Sequence, residues 1–236
     1  MQLFYNPQLD TNTATFTLDR AESKHVFKVL RKNIGDTISI TDGRGNLYKG
    51  TINHITSNRC DLDIAFAKTY PPPSYQLHIA IAPTKMNDRM EWFLEKATEM
   101  GITRITPILC QHSERHKINM ERMNRIIVSA MKQSLQFHKP QLDELIDVEE
   151  FLKLEHTGKK FIAHCEEIEK THLSDVAQAR ENGIVLIGPE GDFSSQEIEL
   201  AINKGFKPVS LGNTRLRTET AGIYTAATFN ILNSRK

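Results

Sequence analysis

From Leu77 onward the chain alternates short apolar runs with stretches patterned as helices, and this alternation restricts the fold more than any other feature. Segments 77–82, 105–109, 161–165, 184–187 and 208–211 are too short and too apolar for amphipathic helices and read as buried strands. Segments 87–100, 119–136, 174–180, 195–204 and 218–233 carry helical spacing, and Gly101 stands where a helix C-cap glycine belongs. Strands separated by helices can pair in parallel, with the helices covering both faces of the sheet. The expected architecture is therefore α/β.

Residues 1–70 have a different texture. Segments 37–41, 47–52 and 60–66 alternate polar and apolar residues, and Asp42-Gly43-Arg44-Gly45-Asn46 is turn chemistry between two of them. One helix interrupts, with Asp19 and Glu22 at capping-box spacing and a helical pattern to about Lys32. Pro71-Pro72-Pro73-Ser74 suits neither a helix nor a central strand and reads as a stiff spacer. These pieces predict a small β-barrel over 1–70, a linker at 71–73 and an α/β domain over 74–236.

Composition narrows the function classes. The net charge is +1, and the first 70 residues hold nine Lys/Arg against seven Asp/Glu, so nucleic-acid binding must rely on local patches. Hydrophobic residues at 39% and charged residues at 25% suit a soluble globular chain without a membrane span. The first seven residues lack the basic start and apolar run of a signal peptide. Cys60, Cys110 and Cys165 lie far apart and are odd in number, which fits reduced thiols in the cytoplasm.

Two loops concentrate the chemistry. The run 184–187 ends in Gly188-Pro189-Glu190-Gly191, followed by Ser194 and Glu197 at capping-box spacing. The run 208–211 ends in Leu211-Gly212, followed by Arg215, Leu216, Arg217, Thr218, Glu219 and Thr220 at a helix start. Loops at the carboxyl ends of strands are where α/β proteins bind ligands, so two loops this close suggest two walls of one pocket. A Walker P-loop and a dinucleotide G-x-G-x-x-G are both excluded by sequence. The small helix beyond, Ala221-Gly222-Ile223-Tyr224-Thr225-Ala226-Ala227, suits close packing on another helix, including one across a dimer interface. His112 and His116 are four apart, but the H-E-x-x-H form is missing and so is a third ligand, so no metal is expected. Met120, Met123, Ile126, Ile127, Ala130 and Met131 read as core.

Leu186-Ile187-Gly188-Pro189-Glu190-Gly191 together with Leu211-Gly212 and Leu216-Arg217-Thr218-Glu219-Thr220-Ala221 resembles the RsmE-type methyltransferases of small-subunit ribosomal RNA, within the SPOUT superfamily. The resemblance extends through Lys96–Ile102, Ile105–Ile108 and Ser113-Glu114-Arg115, and through His25, Val29-Leu30-Arg31, Gly35-Asp36 and Asp42-Gly43 near the N-terminus. It implies a PUA-like RNA-binding β-barrel followed by an α/β domain with a deep trefoil knot. It also implies a homodimer that uses S-adenosyl-L-methionine to methylate N3 of one uridine in 16S rRNA.

Carried over by position, Ile187, Gly188, Pro189, Glu190, Gly191, Leu211, Gly212, Leu216, Arg217, Thr220 and Ala221 would hold the cofactor. Three positions depart from the family pattern: Asp192 replaces a usual Gly, Thr214-Arg215 shifts a usual Arg by one, and Lys132-Gln133-Ser134-Leu135-Gln136 lacks the Glu and Arg of E-Q-S-x-R. Uridine N3 carries a proton and must lose it to become nucleophilic, which requires a base or a cation facing the resulting anion. Arg217 is the candidate cation and Glu219 the candidate base or orienter. Lys24, Lys28 and Lys32, with Arg31, form a basic stripe opposite Val26, Phe27 and Leu30, and are candidate RNA contacts together with Arg115. The alternatives are a non-catalytic RNA-binding protein that keeps the knotted fold, and a methyltransferase of another RNA.

Overall fold

The computed structural model describes residues 2–234. The chain divides into two compact units, one comprising the residues up to Pro72 with Met131–Lys139, the other Pro73–Ala130 with the residues from Pro140 on. The return of 131–139 to the first unit differs from a linear division at the prolines.

In the first unit, β1 (Leu3–Tyr5), β2 (Thr15–Thr17), β3 (Thr37–Thr41), β4 (Asn46–Ile55) and β5 (Cys60–Thr69) form one mixed sheet in the order β1-β3-β4-β5-β2. Only the β1–β3 pair is parallel. Phe4, Leu9, Leu18, Val26, Ile40, Tyr48, Ile52 and Leu62 make its core. The predicted turn between β3 and β4 is held by Asp42, whose carboxylate accepts from the Arg44 amide at 2.8 Å and the Asn46 side chain at 2.7 Å. Gly45 is required there: its φ is +96°, and a Cβ would come within 2.7 Å of the Tyr70 carbonyl oxygen.

The helix after Asp19 differs from its sequence pattern. Helix α1 (Arg20–Lys24) starts as expected, with the Asp19 side chain accepting from the Glu22 amide at 2.7 Å. The Glu22 carboxylate, however, pairs with Lys132 Nζ at 2.8 Å, so the capping box is only half made. The chain then widens into a π-helical turn, His25–Val29, with the Leu30 amide donating to the His25 carbonyl, and Arg31 stops it at φ +51°. Widening turns Phe27 outward, correcting its expected inward position: it is 42% exposed while Val26 is fully buried. Lys132 Nζ also lies 5.6 Å from the centroid of the Phe4 ring.

In the second unit, β6 (Leu77–Ile81), β7 (Arg104–Leu109), β8 (Gln141–Leu142), β9 (Ile146–Asp147), β10 (Lys159–Ala163), β11 (Thr171–His172), β12 (Gly183–Ile187) and β13 (Lys207–Ser210) form a parallel sheet. Its order is β11-β13-β10-β12-β6-β7-β8, with β9 also on β7. The helices are α2 (Asn87–Glu99), α3 (Met120–Gln133, whose residues from Met131 on belong to the first unit), α4 (Val148–Lys153), α5 (Leu173–Val176), α6 (Ser195–Asn203) and α7 (Thr218–Ser234). Successive strand residues feed opposite cores: Ile79, Ile81, Val185 and Ile187 pack with Phe93 and Phe229 on one face. Ala80, Ala82, Ile184 and Leu186 pack with Phe151, Ile198 and Phe206 on the other. This confirms the α/β class.

One of the small residues of α7 makes a close contact within the chain. Gly222 lies on α2, and a Cβ there would sit 2.5 Å from Phe93 Cε2 and 3.1 Å from Ile81 Cδ1. Among the described residues no helix is long and apolar enough to cross a membrane.

Candidate functional site

Strands β13, β10 and β12 are neighbours, so the loops leaving their carboxyl ends converge. Between them lies a cavity of about 290 Å³. Gly188, Pro189 and Asp192 supply one wall, residues 210–216 a second, and the loop after β10, with His164, Cys165 and Lys170, a third. Ala163, Ile187, Val209, Leu211, Leu216 and Ala221 give it an apolar lining.

The first loop is braced from several sides. The Thr218 hydroxyl donates to the Gly188 carbonyl at 3.0 Å, joining the loop to the start of α7. A Cβ on Gly188 would press on the Phe193 ring at 3.0 Å, and one on Gly191 would lie 2.9 Å from His112 Cβ. The glycines thus permit packing behind the loop as well as close approach in front of it. Ser194 and Glu197 complete the expected capping box of α6, and the same Glu197 carboxylate accepts from the Gln111 amide at 2.7 Å.

Asp192 occupies a left-handed conformation, φ +65°, that favours glycine. Its carboxylate offsets that cost by accepting from the backbone amides of Cys165 at 2.7 Å and Phe193 at 2.9 Å. Its carbonyl faces His112 Nδ1 at 3.2 Å. Arg215 Nη2 reaches over the first loop to the Glu190 carbonyl at 3.5 Å.

Of the predicted cofactor residues, Ile187, Gly188, Pro189, Leu211, Gly212, Leu216 and Ala221 line the cavity. Glu190 and Arg217 line an adjoining cleft of about 240 Å³, with Pro189, Arg215 and Leu216 shared between them. Arg217 is exposed and forms no ion pair among the described residues. Gly191 and Thr220 lie outside both sets of walls. Glu219 is not brought to the cavity either. It is 5% exposed, and its Oε1 lies 3.7 Å from Arg89 Nε on α2.

The third wall was not foreseen. His164 is 8% exposed and neither ring nitrogen has a hydrogen-bond partner among the described residues. Burial, reinforced by the Lys170 charge, holds its pKa below the usual histidine value. Lys170 Nζ donates to the His164 and Glu166 carbonyls at 3.0 and 2.6 Å. Burial also raises the Cys165 thiol, which favours its protonated form. The available signal was positional, because 161–165 is a strand whose end must meet the other two loops.

Arg115 is committed to local structure: its guanidinium donates to the Asn87 side chain and to the Lys85 carbonyl. Lys24, Lys28 and Arg31 are exposed on the first unit, and Lys32 is half-buried. Among the described residues no group of three His, Cys, Asp or Glu side chains is placed to hold a metal ion.

A parallel α/β unit with a cavity at three strand ends, together with a mixed-sheet unit bearing a basic face, matches two family models. Residues 71–230 match the RNA methyltransferase domain and residues 18–65 the RNA methyltransferase PUA domain. The chain belongs to this RNA methyltransferase family. It is similar to a crystal structure described as a probable rRNA-methyltransferase from Porphyromonas gingivalis, at 37% identity and TM-score 0.90, covering 99% of each chain. It is also similar to ribosomal RNA small subunit methyltransferase E of Neisseria gonorrhoeae bound to S-adenosyl methionine. That match has 28% identity and TM-score 0.84, covering 99% of this chain and 98% of the other. The enzyme of the same name from Rickettsia conorii is 27% identical, covering 99% of this chain and 96% of its own.

Proposed function

We propose that this chain methylates N3 of a uridine in 16S rRNA, with S-adenosyl-L-methionine as methyl donor. The observation that carries the reading is the cavity formed by Gly188, Pro189 and Asp192 with residues 210–216, in a chain of the RNA methyltransferase family. Its volume of about 290 Å³ lies near the lower end of the ~300–1,000 Å³ common for small-molecule sites. Apolar side chains and open backbone at Gly212 suit a ligand with a flat ring and a polar tail. When bound, the cofactor supplies a methyl group already activated on a sulfonium.

The residues then divide the labour. Ile187, Leu211, Leu216 and Ala221 form the apolar bed, while backbone groups of Gly188, Pro189 and Gly212 provide polar contacts. Gly191 shapes the first loop from behind, and Glu190 borders the adjoining cleft. Arg217, without an ion pair among the described residues, faces the negative charge that grows on the uracil oxygens as N3 loses its proton. Glu219 and Thr220 act from the α7 side, with Glu219 positioning rather than touching substrate through its contact to Arg89. Lys24, Lys28, Arg31 and Lys32 on the PUA-like domain meet the RNA backbone.

The reading extends to a trefoil knot through the two cavity loops, a homodimer, a cytoplasmic location and a substrate within the small ribosomal subunit. Division of labour follows the two domains, residues 1–70 for RNA and 74–236 for catalysis. Calorimetry with S-adenosyl-L-methionine tests the cofactor site: the reading expects saturable one-site binding, and absence of binding leaves a non-catalytic RNA-binding protein.

A further inference from the structure

The segment from α1 through the π-helical turn has two unlike faces. Ser23 and Val26 are fully buried, and Leu30 packs against the same core. Lys24, Phe27, Lys28 and Arg31 are instead exposed to solvent. Phe27 is 42% exposed, and Val29 and Ile34 nearby are 65% and 66% exposed. An exposed aromatic ring contributes little to folding, and here it stands among three cations. Those cations form no ion pair among the described residues, whereas Arg44, Arg59 and Lys132 of the same unit are paired with Asp42, Asp61 and Glu22. The π-turn that puts Phe27 outside is itself a rare element that tends to mark functional positions.

A ring flanked by unpaired positive charge fits a polyanion that offers flat apolar faces, which is single-stranded nucleic acid. Bases in a duplex are already stacked and hide those faces, while bases in loops can be splayed onto an aromatic side chain. We infer that Phe27 is a stacking platform for an unpaired RNA base, with Lys24, Lys28 and Arg31 holding the flanking phosphates. The inference rests on the RNA methyltransferase reading and specifies which RNA form the first unit takes.

The test uses the full chain and two labelled RNAs, a 12-nucleotide oligouridylate and a blunt duplex of equal length, with binding read by fluorescence anisotropy. Phe27→Ala should weaken oligouridylate binding about tenfold, a typical cost for removing one stacked base. Duplex affinity, thermal midpoint and cofactor affinity should stay at wild-type values. Phe27→Trp should keep the affinity. Because Trp92 is the chain's single tryptophan, Phe27→Trp in a Trp92→Phe background should show emission quenched by the oligonucleotide. Lys28→Glu with Arg31→Glu should weaken both RNAs and lower the salt dependence of binding, which Phe27→Ala leaves unchanged.

Wild-type oligouridylate affinity in Phe27→Ala would overturn the inference. So would equal losses for both RNAs, or a change confined to self-association in sedimentation, which would make the face a contact between copies. The underlying reading fails separately, if wild-type protein binds neither RNA nor S-adenosyl-L-methionine.

Discussion

Asp192 Oδ2 accepts a hydrogen bond from the backbone amide of Cys165 at 2.7 Å, tying the loop after β12 to the loop after β10. These loops are two of the three cavity walls, so one carboxylate sets their spacing. A second bond, to the Phe193 amide at 2.9 Å, holds the same side chain in place. Charge-assisted bonds to amides are stronger than neutral ones.

Substitutions at Asp192 separate the bonds from the backbone cost. Asp192→Gly loses both bonds but relieves the left-handed φ, whereas Asp192→Ala loses both and keeps the strain, about 1 kcal/mol more. Asp192→Asn tolerates this conformation and keeps one oxygen acceptor. Thermal midpoints should fall in the order Asp, Asn, Gly, Ala, and cofactor affinity should fall in both Gly and Ala. An Ala variant with wild-type midpoint and affinity would show that the brace is unimportant.

Gly222 offers a test of packing against propensity. Alanine favours a helix interior over glycine by about 1 kcal/mol. Its methyl would strike Phe93 and Ile81, both fully buried and unable to move aside. Overpacking costs about 1–3 kcal/mol, so Gly222→Ala should be net destabilising in urea unfolding. A stabilised variant would mean that α7 and α2 can separate without penalty.

Acid stability should depend on buried histidines. Burial lowers His78 to about 4, and also lowers His156 and His164. Below about pH 6.5 the unfolded chain binds protons that these folded histidines refuse, so stability falls as pH drops through that window. For His78 the loss reaches about 3 kcal/mol by pH 4. His78→Gln can keep a contact to the Thr106 hydroxyl, 2.7 Å away, and should flatten the profile between pH 6.5 and 4.5. An unchanged slope would remove His78 from the account.

Arg217→Ala tests the catalytic assignment. The side chain is exposed and unpaired among the described residues, so its loss should change stability by less than about 0.5 kcal/mol. Removing a group that stabilises developing negative charge costs about 10²–10³ in turnover. Single-turnover methylation should fall by that factor with cofactor affinity nearly intact. Near-normal turnover would rule Arg217 out as the cation facing the uracil anion.

Much of this was legible in the sequence because each signal had one physical cause. The apolar runs near Ile79, Ile105 and Val185, three residues that are fully buried, are strands, and Gly101 does end α2 with φ +84°. The cavity loops were visible because Gly188 and Gly212 follow such strands. Elements of two or three residues, such as β1, β2 and β11, carry too few positions to show a period. The outward turn of Phe27 was hidden for another reason. A π-turn adds a residue to the helical repeat, and only the tertiary burial of Val26 and Leu30 selects it. The contact of Glu219 with Arg89 was not legible because Arg89 comes from a distant part of the chain.

The most direct test is nucleoside analysis of 16S rRNA from cells with and without this protein. The account predicts 3-methyluridine in the first sample, its loss in the second, and its restoration by the wild-type chain but not by Arg217→Ala. Unchanged 3-methyluridine on loss of the protein would contradict it.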